Sequence, residues 1–223
     1  MPTIIGLGYK CRQGKNFVAN YMQEYNPPVR IYAFADALKL YCKEHHNELV
    51  PQWQLANQTK QMPITKADPI YGYTAILQWY GSNVARKANP NCWVEALDKR
   101  LQIEKPQIAV VSDVRFENEA KYIKDSGGYM VEVRRCKDGV QFIDAGRDPN
   151  HISEIALDGY EHWDYVIECQ DGNLADLKLK SRGVLNAITQ GINYTNEAQD
   201  HSEDIFNSIV SKYRDDAPDG FKS

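Results

Sequence analysis

Short apolar runs alternating with stretches of helical spacing set the pattern of this chain. TIIGL (3–7), VRIYAF (29–34), QIAVVSD (107–113), YMVEVRR (129–135) and WDYVIEC (163–169) suit buried strands, and their alternation with helix-like segments predicts a parallel sheet covered by helices on both faces. More than seventy residues separate the second and third runs, with helical spacing in 36–49, 72–87 and 91–104. That is too long for a simple crossover, so an inserted substrate-binding region is expected there. In RFENEAKYIKDSGG the apolar positions Phe116, Ala120 and Ile123 recur at helical spacing, and Gly127-Gly128 supply residues that tolerate positive φ after the last turn. The final thirty residues are polar apart from Ile205, Phe206, Ile209, Val210 and Tyr213, a spacing that suggests an appended helix over 191–223.

Composition narrows the class. With 43% hydrophobic and 11% aromatic residues, 223 residues can supply a buried core. A net charge of −4, from 26 basic and 30 acidic residues, gives no long-range attraction to a nucleic acid polymer or an anionic membrane. Any phosphate bound is therefore expected to be small and held locally. Five scattered cysteines with no CxxC pair argue for neither a disulfide framework nor a zinc site. A reducing cytoplasm fits that usage, and no apolar run of about 18 residues predicts a membrane span.

GLGYKCRQGKN (6–16) joins the first strand to the helix-like NFVANYMQEY. A strand, a glycine turn and a helix place backbone N–H groups and the positive end of the helix around one anionic pocket. Gly8, Lys10, Arg12, Gln13, Gly14 and Lys15 form the candidate nucleotide loop, with Lys15 directed at the β and γ phosphates of ATP. Gly8 precedes Gly14-Lys15 by one residue more than the usual phosphate loop, and Asn16 stands where Ser or Thr is usual. An ordinary βα turn with exposed cations is the plain alternative.

Five ordered segments resemble the phage-type deoxynucleoside monophosphate kinases, with phosphomevalonate kinase a more distant relative. They are GLGYKCRQGKN, FADALK (34–39), LQWYGSNVAR (77–86) with NCWVEAL (91–97), VVSDVRFENEA (110–120) and HISEIALDGYEHWDYVIECQDGNL (151–174). The likeness spans about 3–188. It implies a P-loop three-layer α/β sandwich on a parallel five-stranded sheet, within a kinase domain over 1–190. A helical monophosphate-binding insertion is expected at about 36–105 and a lid at about 134–150. The implied reaction moves the γ-phosphate of ATP, with Mg²⁺, to a deoxynucleoside monophosphate for phage DNA precursor synthesis in the host cytoplasm. Where the family usually has Asp then Thr after the loop lysine, this chain has Asn16 and Phe17, and an amide is expected to hold a cation more weakly than a carboxylate.

Phosphoryl transfer between two anions needs positive charge around the moving group more than a base. Asp113, at the end of an apolar strand, is the candidate metal acid together with Asn16; capping the next helix is its structural alternative. Arg115 is expected in the same crevice, on substrate or transferring phosphate. Gln78, Ser82 and Arg86, four apart, share one helical side as a monophosphate-binding surface, and Trp79 is a candidate to stack on the base. Asp36 and Lys39 occupy one turn, facing sugar and phosphate or, for Asp36, serving only as a cap. The basic stretch 134–148 suggests the lid, with Arg134 and Arg147 as its catalytic arginines and Ser153 and Glu154 positioning lid or substrate. His151 with Glu154 is a weak metal pair lacking a third ligand. A nucleotide-binding module without transfer, and a kinase of another small phosphorylated acceptor, are the alternatives. The acceptor base and a homodimer are left open.

Overall fold

The computed structural model describes residues 2–8, 10–45, 48–49, 76–77, 79–142 and 150–190. The predicted C-terminal helix of 191–223, and the segment 143–149 within the predicted lid, lie outside these. In chain order the elements begin with β1 (Thr3–Gly8), α1 (Lys15–Tyr25), β2 (Val29–Tyr32) and α2 (Ala35–Glu44). A π-helical run (Trp79–Ala85) continues into α3 (Arg86–Ala88), followed by α4 (Cys92–Glu104), β3 (Ile108–Val114), α5 (Glu117–Asp125) and β4 (Tyr129–Lys137). The chain then forms β5 (Val140–Gln141), α6 (Ile152–Ile155), β6 (Tyr165–Gln170) and α7 (Leu174–Thr189). Two compact units emerge, one of Met1–Ile31 with Lys105–Ser223 and one of Tyr32–Glu104.

The sheet order is β2-β3-β1-β4, with β5 and β6 both pairing β4. β1 runs parallel to β3 and β4, and β6 runs parallel to β4. Only the short β5 is antiparallel among the pairs whose direction is defined. IAVVS forms a strand because both of its faces are covered: Ile108 to Ser112 are all buried. On one face Ile5, Leu7, Val110, Val131 and Val133 pack with Val18 and Met22 of α1 and Leu177, Val184 and Ile188 of α7. Side chains alternate along a strand, so Gly6 faces the other way, toward Ile123 of α5 and Met130. Helices thus cover both faces, and the expected three-layer α/β sandwich is present; its sheet has six strands among the described residues rather than the expected five parallel ones, the short antiparallel β5 being the addition.

Two turns fix the path. Gly127 takes φ 72 after α5, and Gly128 N–H donates to the Ile123 carbonyl at 2.9 Å. Asp138 and Gly139 both have positive φ, 52 and 78, the backbone of a two-residue hairpin turn. The stretch expected to open the lid at 134 is therefore the end of β4 and a hairpin, and Arg134 belongs to a strand.

In the smaller unit, α2 buries Leu38 and Cys42. Leu38 lies against Gly81, and Trp93 donates its indole N–H to the Gly81 carbonyl at 3.3 Å. Trp93 is buried and serves that core. Asp36 lies in the first turn of α2, whose N-cap is Phe34, so it is not the N-cap of its alternative reading; its carboxylate accepts from the Ala33 N–H at 3.2 Å and from Arg100 at 3.0 Å.

The two adjacent glycines of the larger unit separate backbone conformation from space. A side chain at Gly128 would meet the carbonyl oxygens of Ile4 and Ile123, whereas nothing crowds Gly127. Gly127→Ala is expected to cost about 1 kcal/mol, the price of a left-handed alanine, and Gly128→Ala about 2–3 kcal/mol because backbone must move. Urea unfolding of both variants checks this; equal losses would contradict the packing argument.

Candidate functional site

The phosphate-loop candidate lies between β1 and α1. Gly14 sits at φ 99 and Arg12 at φ 55, left-handed conformations that turn successive N–H groups inward. Gly8 is required by space, since a Cβ there would strike the ring of Trp163. Lys15 opens α1 and is only 7% exposed. Its ammonium donates to the Lys10 carbonyl.

Glu154, on α6, holds this loop from below. It is 6% exposed; Oε2 accepts the Cys11 N–H at 2.8 Å and Oε1 accepts from Arg115 at 2.5 Å. Arg115 also donates to the Ser153 carbonyl at 3.3 Å. Lys10 Nζ donates to the Glu154 carbonyl at 3.0 Å and pairs with Asp158 at 2.6 Å. Burial above all, then repulsion from Arg115, pushes the Lys15 pKa down to about 7, against the opposing pull of Cys11, Glu154 and Asp113. Lys15, Arg115, Asp113 and Glu154 therefore form one electrostatic cluster.

Gln13 braces the other side of the loop. Its buried amide accepts the Arg135 N–H and donates to the Phe142 carbonyl, both at 2.7 Å. The Arg135 guanidinium sits 4.3 Å from the Phe142 ring centre and binds Asp171 through Nε at 2.7 Å and Nη2 at 2.6 Å. Asn16 and Phe17 are exposed on the first turn of α1, and Phe17 tilts against Tyr21 at 6.3 Å.

The remaining candidates are placed elsewhere. Arg134 pairs with Glu132 at 2.7 Å and approaches Glu168 at 3.8 Å, so its guanidinium is held by β-strand carboxylates. His151 accepts from the Ser153 N–H and thereby caps α6, which accounts for it without a metal. The N-cap of α5 is Phe116, with the Glu119 carboxylate accepting the Arg115 and Phe116 N–H groups, so Asp113 is not that helix's cap. In the smaller unit, Lys39 lies 3.7 Å from Asp36, Arg86 donates to the Pro90 carbonyl at 3.3 Å, and Trp79 tilts against Tyr80. Gln78 and Arg147 fall outside the described residues. Among the described residues no three His, Cys, Asp or Glu side chains converge on a metal position, and no helix is long and apolar enough to cross a membrane.

Sequence reasoning missed the Gln13 brace and the Arg135–Phe142–Asp171 group. The Asp-Gly pair at 138–139 was the available signal, because a hairpin there returns Phe142 to Arg135.

A buried lysine at a glycine turn between a central parallel strand and its helix defines a kinase-type phosphate-loop fold. The dephospho-CoA kinase from Campylobacter jejuni shares that fold, with a TM-score of 0.50 at 14% identity over 86% of this chain and 99% of that one. TT1252 from Thermus thermophilus aligns with a TM-score of 0.46 at 15% identity, covering 86% of this chain and 99% of that one. No family model matches the chain. A protein of Acanthamoeba polyphaga mimivirus, provisionally named a deoxynucleotide monophosphate kinase, is 31% identical over 180 residues, covering 74% of this chain and 87% of its own length. The chain belongs to the deoxynucleotide monophosphate kinase family.

Two outcomes follow from the buried charges. Glu154→Ala strands Arg115 and the Cys11 N–H, and removing one partner of a largely buried pair costs about 3 kcal/mol; urea unfolding should show it, and a loss below about 1 kcal/mol would mean the carboxylate does not hold the loop. For Lys15 the ordinary pKa is 10.5 and the folded value about 7. Between these the unfolded chain binds the extra proton, so this group's contribution to stability rises with pH, while below pH 7 the buried charge opposes folding in full. Lys15→Met should accordingly be more stable than the parent at pH 6.5, with a smaller advantage at pH 8.5. A gap independent of pH would contradict the depressed pKa.

Proposed function

We propose that this enzyme transfers the γ-phosphate of ATP to a deoxynucleoside monophosphate in DNA precursor synthesis. The observation that carries the proposal is the buried Lys15 ammonium inside a glycine loop, backed by Arg115 and held by Glu154. Family membership supports the reaction class.

In this reading the loop N–H groups and Lys15 bind the β and γ phosphates. Arg115 lies beside Lys15 and faces the transferring group. The acceptor phosphate oxygen is ionised at neutral pH, so it attacks the γ-phosphorus without a base; one P–O bond forms as the bond to the β-phosphate oxygen breaks and ADP leaves. Asn16 and Asp113 offer an amide and a carboxylate oxygen, hard donors of the kind that suit Mg²⁺ with most of its waters retained. Mg²⁺, when bound, neutralises charge on the β and γ phosphates. Arg86 and Lys39, in the smaller unit, are the proposed acceptor-phosphate groups, with Trp79 and Gln78 toward the base. Asp36, paired with Arg100, is the proposed sugar or base contact.

A coupled ATP-to-ADP assay against the four deoxynucleoside monophosphates, their ribonucleotides and phosphomevalonate tests the reading. Turnover with a deoxynucleoside monophosphate is expected; nucleotide binding with no turnover on any of them would instead identify a binding module. Arg86→Ala should raise KM for the monophosphate about tenfold, since a charge-assisted hydrogen bond is worth about 1.5–3 kcal/mol, and leave KM for ATP within about twofold. The reverse pattern would remove the acceptor site from the smaller unit.

A further inference from the structure

Four polar side chains of the smaller unit form a continuous line from its core to its surface. Tyr32, at the end of β2, is 1% exposed, and its hydroxyl donates to Glu104 Oε2 at 2.8 Å. Glu104 Oε1 accepts from Arg100 Nε at 2.7 Å, one turn earlier on α4. The bonds from Arg100 and Tyr32 hold the Glu104 carboxyl below the usual range. Arg100 lies over the Tyr32 ring, 4.9 Å from its centre, and extends Nη1 to Asp36 Oδ2 on α2 at 3.0 Å. Its guanidinium is a rigid fork, so fixing Nε on Glu104 also fixes the direction of Nη1. The Ala33 N–H holds the same Asp36 oxygen at 3.2 Å. Oδ1 faces Lys39 Nζ at 3.7 Å, an ion-pair distance too long for a hydrogen bond. The Asp36 side chain stays 38% exposed, so a ligand can reach a carboxylate whose orientation is already set.

We propose that Asp36 accepts the 3′-hydroxyl of the acceptor nucleotide's sugar, and that Tyr32, Glu104 and Arg100 are the residues that position it. This rests on the reading of Lys39 as an acceptor-phosphate group. A carboxylate only accepts, so its ligand must offer a donor. That donor must lie beside the phosphate, because Asp36 and the exposed Lys39 stand one turn apart on α2. In a deoxynucleoside monophosphate the 3′-hydroxyl is the sugar's one donor and neighbours the 5′-phosphate, whereas the hydrogen-bonding edge of a base in the anti conformation points away from it. Charge agrees with this placement. Asp36 and Glu104 balance Arg100 and Lys39, so the carboxylate stands near a phosphate site without a net negative field. Arg100 is shared between two carboxylates, which suits it to orient Asp36 more than to grip phosphate itself. Ion pairs this exposed add little to stability, so their fixed geometry is the larger contribution.

The first test needs no variant. Titration calorimetry without ATP compares each 2′-deoxynucleoside 5′-monophosphate with its 2′,3′-dideoxy counterpart; the 3′-hydroxyl form of the best ligand should bind about tenfold tighter, the worth of a hydrogen bond to a charged group. In Asp36→Ala that gap should close to within about twofold through lost affinity of the hydroxyl form alone. Arg100→Met and Tyr32→Phe should each weaken the deoxynucleotide several-fold and leave the dideoxy form within about twofold. A side chain that only supports the fold would weaken both forms alike, so equal losses, or none, would overturn the positioning role. Equal affinity of the two forms for the parent protein would overturn the sugar contact and leave phosphoryl transfer standing. A gap of about tenfold without any ATP turnover would support the contact and remove the transfer reading instead. No binding of any monophosphate would remove both.

Discussion

The carboxylate of Glu154 ties together three parts of the chain that are far apart in sequence. One oxygen holds the phosphate loop at Cys11 and the other holds Arg115 at the end of β3, while the backbone carbonyl of the same residue takes Lys10. Bringing Lys15 and Arg115 together in a largely dry site is unfavourable unless negative charge is nearby. Glu154 and Asp113 provide it, two anions against two cations. That balance is incomplete at Lys15, whose pKa falls because burial outweighs its anionic neighbours. An anion arriving at the loop would relieve that deficit, so the imbalance that costs stability would favour phosphate binding.

Backbone constraints work to the same end. Lys15 can point back across the loop because Gly14 turns at φ 99, and Gly8 can leave the sheet there because it carries no Cβ to meet Trp163. Gln13 then fixes the loop to the β4–β5 hairpin with two short bonds. Its amide both donates and accepts, which lets one side chain satisfy a strand N–H and a carbonyl that β5 leaves open.

Much of this was legible from local pattern. Buried parallel strands announce themselves as apolar runs, and β1, β3, β4 and β6 fall where TIIGL, QIAVVSD, YMVEVRR and WDYVIEC lie. The glycine loop is equally local, since its geometry is set within a few residues. What could not be read is long-range. Nothing near Cys11 in sequence names Glu154, 143 residues away, as the acceptor of its N–H. Nothing near Asp36 names Arg100, 64 residues on, as its partner. The reading of 134 onward as loop had a different cause: charge density was given more weight than the Asp-Gly turn, and alternate charged positions on a strand look aperiodic to a helical template.

β4 carries the same lesson. Glu132 and Arg134 are two apart on the strand, so they stand on the same face of the sheet, while Val131 and Val133 pack in the core. The strand's period of two thereby sets the 2.7 Å pair between Glu132 and Arg134, a relation that a reading of 134–148 as one basic stretch does not show.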